Sequence, residues 1–149
     1  MAELNEISFN GGYMMLFAVP TYPTGVKIAT FDAGQDPLDF GNVDIATAEM
    51  GVNGDMVAYR TPYSISITFN LIPFCAEDKI LENIVNADRI QKGKNSAKNN
   101  IEMMVNYGNG RVITLTDGTF TNVPLGFGGS SDGRTATRSY TIVFRNSLT

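Results

Sequence analysis

Carboxylates, hydroxyls and one thiol are the groups in this 149-residue chain that could do chemistry, and each lacks a companion. Histidine is absent. That removes the commonest general base, the commonest zinc ligand and the side chain that titrates near neutral pH. Serines are plentiful, yet without histidine no Ser-His-Asp triad can be built. Cys75 is the lone cysteine, set beside Phe74. With no base to ionise it, it reads as a small core residue and not as a nucleophile. Asp36 and Asp39 could share a calcium ion, but no EF-hand spacing surrounds them, so an interfacial or solvated role is expected and no metal. Gly126, Gly128 and Gly129 do not lie between a strand and a helix, and no GxxxxGK[ST] run occurs, so no phosphate loop is expected. The expectation is a protein with no cofactor and no catalytic constellation.

Nucleic acid is also a poor fit. The most basic stretch, Arg89–Lys98, carries Arg89, Lys92, Lys94 and Lys98 without the interleaved aromatics of a stacking platform. The whole chain is acidic, with a pI of about 4.7. Charge is unevenly placed. Up to Cys75 there are eight acids (Glu3, Glu6, Asp32, Asp36, Asp39, Asp44, Glu49, Asp55) against Lys27 and Arg60, whereas from Ala76 nine bases meet seven acids. Two such halves can attract copies head to tail, or lie scattered over a solvated surface.

The elements that would position these groups are mostly strands. Tyr63, Ile65, Ile67, Phe69 and Leu71 alternate with Ser64, Ser66, Thr68 and Asn70, which puts one set on a core face and the other on a wet face. Ile101–Tyr107 repeats the pattern, Gly108-Asn109-Gly110 turns the chain, and Arg111–Thr116 returns. Asp117-Gly118 is expected to form a second tight turn before Thr119–Val123. A last strand is read at Tyr140–Arg145, and two early ones at Tyr13–Val19 and Gly25–Phe31. One segment differs. Ile80, Leu81, Ile84, Val85 and Ala87 recur at helical spacing, Glu77 and Asp78 suit a first turn, and Gly93 is a plausible stop. This predicts a mainly β chain, a β-sandwich or barrel with one flanking α-helix. Asp32–Arg60 and Gly126–Thr135 resist regular assignment. The first keeps enough apolar residues to order against the chain's own core or against a neighbour.

Length and an apolar content of 43% suit a single domain, residues 1–149, with a long loop around 32–60. No apolar run is long enough for a membrane helix, the first ten residues lack the pattern of a secretion signal, and one unpaired cysteine fits synthesis in a reducing cytoplasm.

Order and spacing then resemble a family, the tail tube proteins of contractile-tailed bacteriophages. The resemblance rests on DPLDFGNVDIATAEMGVNGDMVAYRTPYSISITFNLIP (residues 36–73), the acid-started helix AEDKILENIVNADRI, the basic loop KGKNSAKNNIEM and the ending SSDGRTATRSYTIVFRN. It implies homohexameric rings stacked into a tube inside a contractile sheath, as part of the virion tail. Partners would be other copies, the sheath protein, and baseplate and tail terminator proteins, with DNA passing through the lumen without specific binding and no membrane insertion. A baseplate tube initiator, a secretion-system or tailocin tube protein, and a tail-borne β-sandwich binding module stay open. On this reading Asp36, Asp39, Asp44, Glu49 and Asp55 would meet Lys92, Lys94 and Arg134 between rings, with 32–55 ordering on stacking. Ser64, Ser66, Thr68 and Asn70 would face the channel, although the same alternation fits a solvent-facing sheet.

Overall fold

The computed structural model describes residues 11–31, 38–108, 110–129, 131, 133 and 135–148. Its element order is β1 (Tyr13–Val19), β2 (Tyr22–Ile28), β3 (Leu38–Phe40), β4 (Ala46–Met50), β5 (Met56–Arg60), β6 (Ile65–Leu71), α1 (Ala76–Asp88), β7 (Asn100–Asn106), β8 (Val112–Asn122) and β9 (Arg138–Leu148). Seven strands form one sheet in the order β2-β1-β7-β8-β9-β6-β3, and β4 with β5 forms a separate hairpin. The mainly β architecture with one flanking helix is what the alternation led one to expect.

The sheet is rolled. In a flat sheet, five interstrand steps of ~4.8 Å would hold β2 about 24 Å from β6. Phe31, just past β2, instead pairs with Leu71 of β6, and the Ile72 N–H donates to the Thr30 carbonyl at 3.3 Å. Three residues reach only ~10 Å, so the edges must curl together. The chain leaves its pairing with β1 and joins β6, the manoeuvre by which one strand serves both sides of a sandwich corner. Inside lie Met14, Leu16, Val26, Ile28, Ile67, Phe69, Leu71, Ile101, Met103, Val105, Leu115, Tyr140, Ile142 and Phe144, joined by Leu81, Ile84 and Val85 of α1. The alternate residues of β6, β8 and β9 form a hydroxyl-rich outer face. There Thr68 lies opposite Thr141 with their hydroxyl oxygens 3.1 Å apart.

Three expectations are corrected. Asp117-Gly118 does not turn the chain, because β8 runs unbroken from Val112 to Asn122. Ile101 pairs with Gly118 but Met103 with Leu115, so β8 carries one extra residue there, a bulge with Asp117 at φ +57°. The bulge restores phase, which lets Leu115 and Gly118 both face inward. Gly118 has no room for a side chain, since a Cβ would overlap the Phe144 ring. The second early strand begins at Tyr22, not Gly25, and includes Pro23. As a sheet edge, β2 can lack that N–H without losing a ladder bond. Finally, the irregular stretch 32–60 contains β3 and the β4–β5 hairpin, paired from Ala46↔Arg60 to Met50↔Met56. Asn53-Gly54 supplies its turn, with Gly54 at φ +88°.

Helix α1 is moored at both ends. At its start Asp78 is buried and accepts from Arg138 Nε at 3.1 Å and from the Tyr140 hydroxyl at 2.5 Å. At its end one Asp88 carboxylate oxygen accepts from the Asn99 backbone and side-chain N–H groups at 3.0 and 2.7 Å. The Asn99 side-chain Oδ1 in turn accepts from the Thr21 N–H at 2.9 Å, tying the helix to the β1–β2 turn. The helix closes at Asp88, before the Gly93 stop expected from sequence, because Arg89 swings to an extended backbone (φ −75°, ψ 134°) while its N–H still reaches the Val85 carbonyl.

Candidate functional site

The β4–β5 hairpin projects from the body as an arm. Every residue from Asp44 to Ser64 is exposed, including Ile45, Met50, Val52, Met56, Val57 and Tyr59. Partners across an antiparallel pair point the same way, so the register sorts the arm into two faces. One holds Ala46, Ala48, Met50, Met56, Ala58 and Arg60. The other holds Thr47, Glu49, Val57 and Tyr59. The first is apolar with a single charge, a cation at the root. Isolated two-stranded hairpins are marginal in water, and an apolar face left wet is a surface that awaits contact.

A second uncovered apolar surface lies where α1 begins. Phe74 precedes the helix with φ +63°, a left-handed backbone that a bulky side chain rarely adopts. Its ring is 69% exposed and stacks on Phe127 of the Gly-rich loop with centroids 4.4 Å apart. Phe127 in turn covers the Arg138 guanidinium at 4.2 Å, and Arg138 Nη1 donates to the Gly126 carbonyl at 2.5 Å, so one buried arginine holds that loop down. Cys75 caps the helix, its sulfur accepting from the Asp78 N–H at 3.4 Å. Burial, foremost, pushes its thiol pKa up, which leaves it protonated. Between the aromatic pair and the helix runs a groove of about 460 Å³ lined by Phe74, Cys75, Ala76, Asp78, Lys79, Glu82 and Phe127.

The residues singled out from sequence are spread through this frame. Asp36 and Arg134 lie outside the described residues. Asp39 is exposed on β3 opposite Thr68. Asp44 precedes the arm, Glu49 sits on β4 opposite Val57, and Asp55 closes the turn, its carbonyl accepting from the Gly51 N–H at 2.6 Å. Two of the five acids, Glu49 and Asp55, therefore share one projecting element, with Asp44 just before it. Lys92 is exposed, while the Lys94 ammonium folds back onto the Asn86 carbonyl near the end of α1. Ser66, Thr68 and Asn70 share the outer face of β6 and Ser64 stands exposed just before it. Asn70 is the exception to a wet row, buried against the Ser139 hydroxyl.

Sequence reasoning missed the Asp78–Arg138–Tyr140 cluster. From sequence, Asp78 is a first-turn acid that complements the helix dipole. The signal lay in β9, where Arg138 falls on the same alternation as Tyr140, Ile142 and Phe144 and so must point inward. Among the described residues no three of Cys, Asp and Glu gather to hold a metal ion. No described helix is long and apolar enough to cross a membrane.

The fold and its projecting arm define a mainly β protein with an uncovered apolar surface at each end. The chain matches the sequence model for tail fiber protein gp32 over residues 5–148, and it is a member of that family. No curated protein matches it. Among solved structures the fold is similar to the cap of the anti-feeding prophage, a tube terminating cap, at 15% identity and a TM-score of 0.61, covering 99% of this chain and 93% of that one. It is also similar to the PVC sheath/tube terminator of an extracellular contractile injection system in its extended state, at 10% identity and a TM-score of 0.53, covering 99% and 96%. At those identities the likeness is one of fold. Tail membership is thus shown, at a coarser level than the tail tube family that the sequence resembles.

Proposed function

We propose that the chain is a non-catalytic structural subunit of a contractile tail, six copies of which form a ring that stacks into the tube. The observation that carries this reading is the β4–β5 arm. A hairpin with one apolar face, exposed along its whole length, is marginal in water and is stabilised by contact with another surface, and the rolled sheet of the same chain leaves it uncovered. Edge pairing around a ring would cover the free edges of β2 and β3. The hydroxyl-rich outer face through Ser66, Thr68 and Thr141 suits a lumen along which DNA slides without adhering. The sheath protein would surround the tube, with baseplate and terminator proteins at its ends.

A second reading, a terminator or cap ring, is favoured by the names of the two similar solved structures. Electron microscopy of the purified protein over a concentration series separates the two. Long hollow tubes with a regular axial repeat are expected. Discrete rings that never stack would support the cap, and monomers at every concentration would remove both readings.

A further inference from the structure

The groove between the start of α1 and the Gly-rich loop is, we infer, the receptor for the β4–β5 arm of a second copy of this chain. The inference rests on the assembly reading above and adds to it which surface meets which. Three observations carry it.

The first is placement. The arm leaves the sheet at the Ile65 end of β6, and the groove opens just past Leu71 at the other end. Those ends are ~20 Å apart along the strand. Every arm residue is exposed, so the hairpin does not fold back over its own body. Each chain therefore carries an uncovered apolar projection at one pole and an uncovered apolar recess at the other, and only a neighbour can bring the two together.

The second is chemistry. The recess is walled by stacked Phe74 and Phe127, with Glu82 and Lys79 on its rim and Glu77 against Cys75. The Asp78 carboxylate at its floor is already taken by Arg138 and Tyr140. Glu82 lies 3.9 Å from Arg138 Nη2, so it too is partly engaged from within. The apolar face of the arm brings Met50 and Met56, flexible side chains whose sulfurs pack well on aromatic rings, and Arg60 as its one charge. Apolar body matches apolar wall, and the single cation finds carboxylates, Glu77 and Glu82, beside the recess. The opposite face, with Glu49 and Tyr59, matches neither.

The third is the backbone of Phe74. A left-handed conformation is unfavourable for a phenylalanine and persists where the surroundings over-determine it. Here it aims an aromatic ring outward beside the recess.

Cys75 lies in the groove and is the only cysteine, so it reports on the contact. Single cysteines are introduced on the docking face at Ala48, Met50 and Met56 and on the other face at Thr47 and Glu49. Assemblies of each full-length variant are checked by microscopy, oxidised with diamide and resolved on non-reducing gels. At least one docking-face variant is expected to give a ladder of covalent multimers, at least about tenfold more than either opposite-face variant. Cys75→Ser, which keeps a capping oxygen, should abolish the ladder. Assemblies that form without cross-linking from any docking-face position, or with equal cross-linking from both faces, overturn the groove while leaving assembly intact. Variants and wild type that both stay monomeric overturn the assembly reading, and the groove with it.

Discussion

Arg138 shows how much of this fold hangs on one side chain. It is 1% exposed, yet its guanidinium reaches the helix through Asp78, the Gly-rich loop through the Gly126 carbonyl and the ring of Phe127 through its face. A buried charge so partnered is tolerated because its hydrogen bonds are met, and removing any partner exposes the cost. Tyr140 is the member whose loss can be read cleanly. Its phenol is held well above the ordinary tyrosine range, by burial first and then by the Asp78 carboxylate to which it donates. The neutral phenol is therefore favoured in the fold. Its contribution to stability is intact below the unfolded pKa of about 10 and is lost as pH rises above it towards the folded value. Tyr140→Phe is expected to cost ~1–3 kcal/mol at neutral pH by leaving Asp78 short of a donor. It should also flatten the alkaline decline seen when urea midpoints are compared between about pH 8 and about pH 11. Tyr107 and Cys75, whose pKa values are also raised by burial, leave a residual slope. An unchanged alkaline limb in the variant would remove Tyr140 as its source.

At the scale of elements, the arm and the body should separate energetically. The arm shares no core with the rolled sheet, so replacing Val43–Pro62 by a short Asn-Gly turn between β3 and β6 should leave stability within ~0.5 kcal/mol. Assembly should be abolished. Thermal melts and sedimentation of the same sample check both halves, and a collapse in stability would mean that the arm props up the core. The same division explains what was legible beforehand. Strands with one buried face, β1, β6 and β7, announce themselves by alternation, and α1 by its apolar stripe, because burial imposes the period. Neither face of the arm is buried within the chain, and its alternation is short and carried largely by alanines, which are poor strand formers, so it reads as a loop. The bulge in β8 escaped for another reason. Asp-Gly is the sequence of a tight turn, and only pairing with β7 and β9 on both sides shows that the strand continues. Asp78 escaped because its partners lie about 60 residues away, a separation that no local pattern spans.

At the scale of the whole molecule, the two ends differ in kind, one offering a projection and the other a recess. A copy that keeps its recess but has lost its arm can accept a neighbour and offer nothing onward. Mixing one armless chain into roughly ten intact ones should therefore shorten tubes measured by microscopy, since a joint that unites unlike surfaces propagates only while both are present. Tube lengths insensitive to the admixture would mean that growth does not run through the arm. A closed ring counts its own members, because the last contact meets the first. A contact between opposite poles has no such arithmetic: each addition recreates the surface that the next one needs. Nothing in such a joint says when to stop, so the length of the finished structure has to be dictated from outside this chain, by a gauge or a blocking piece.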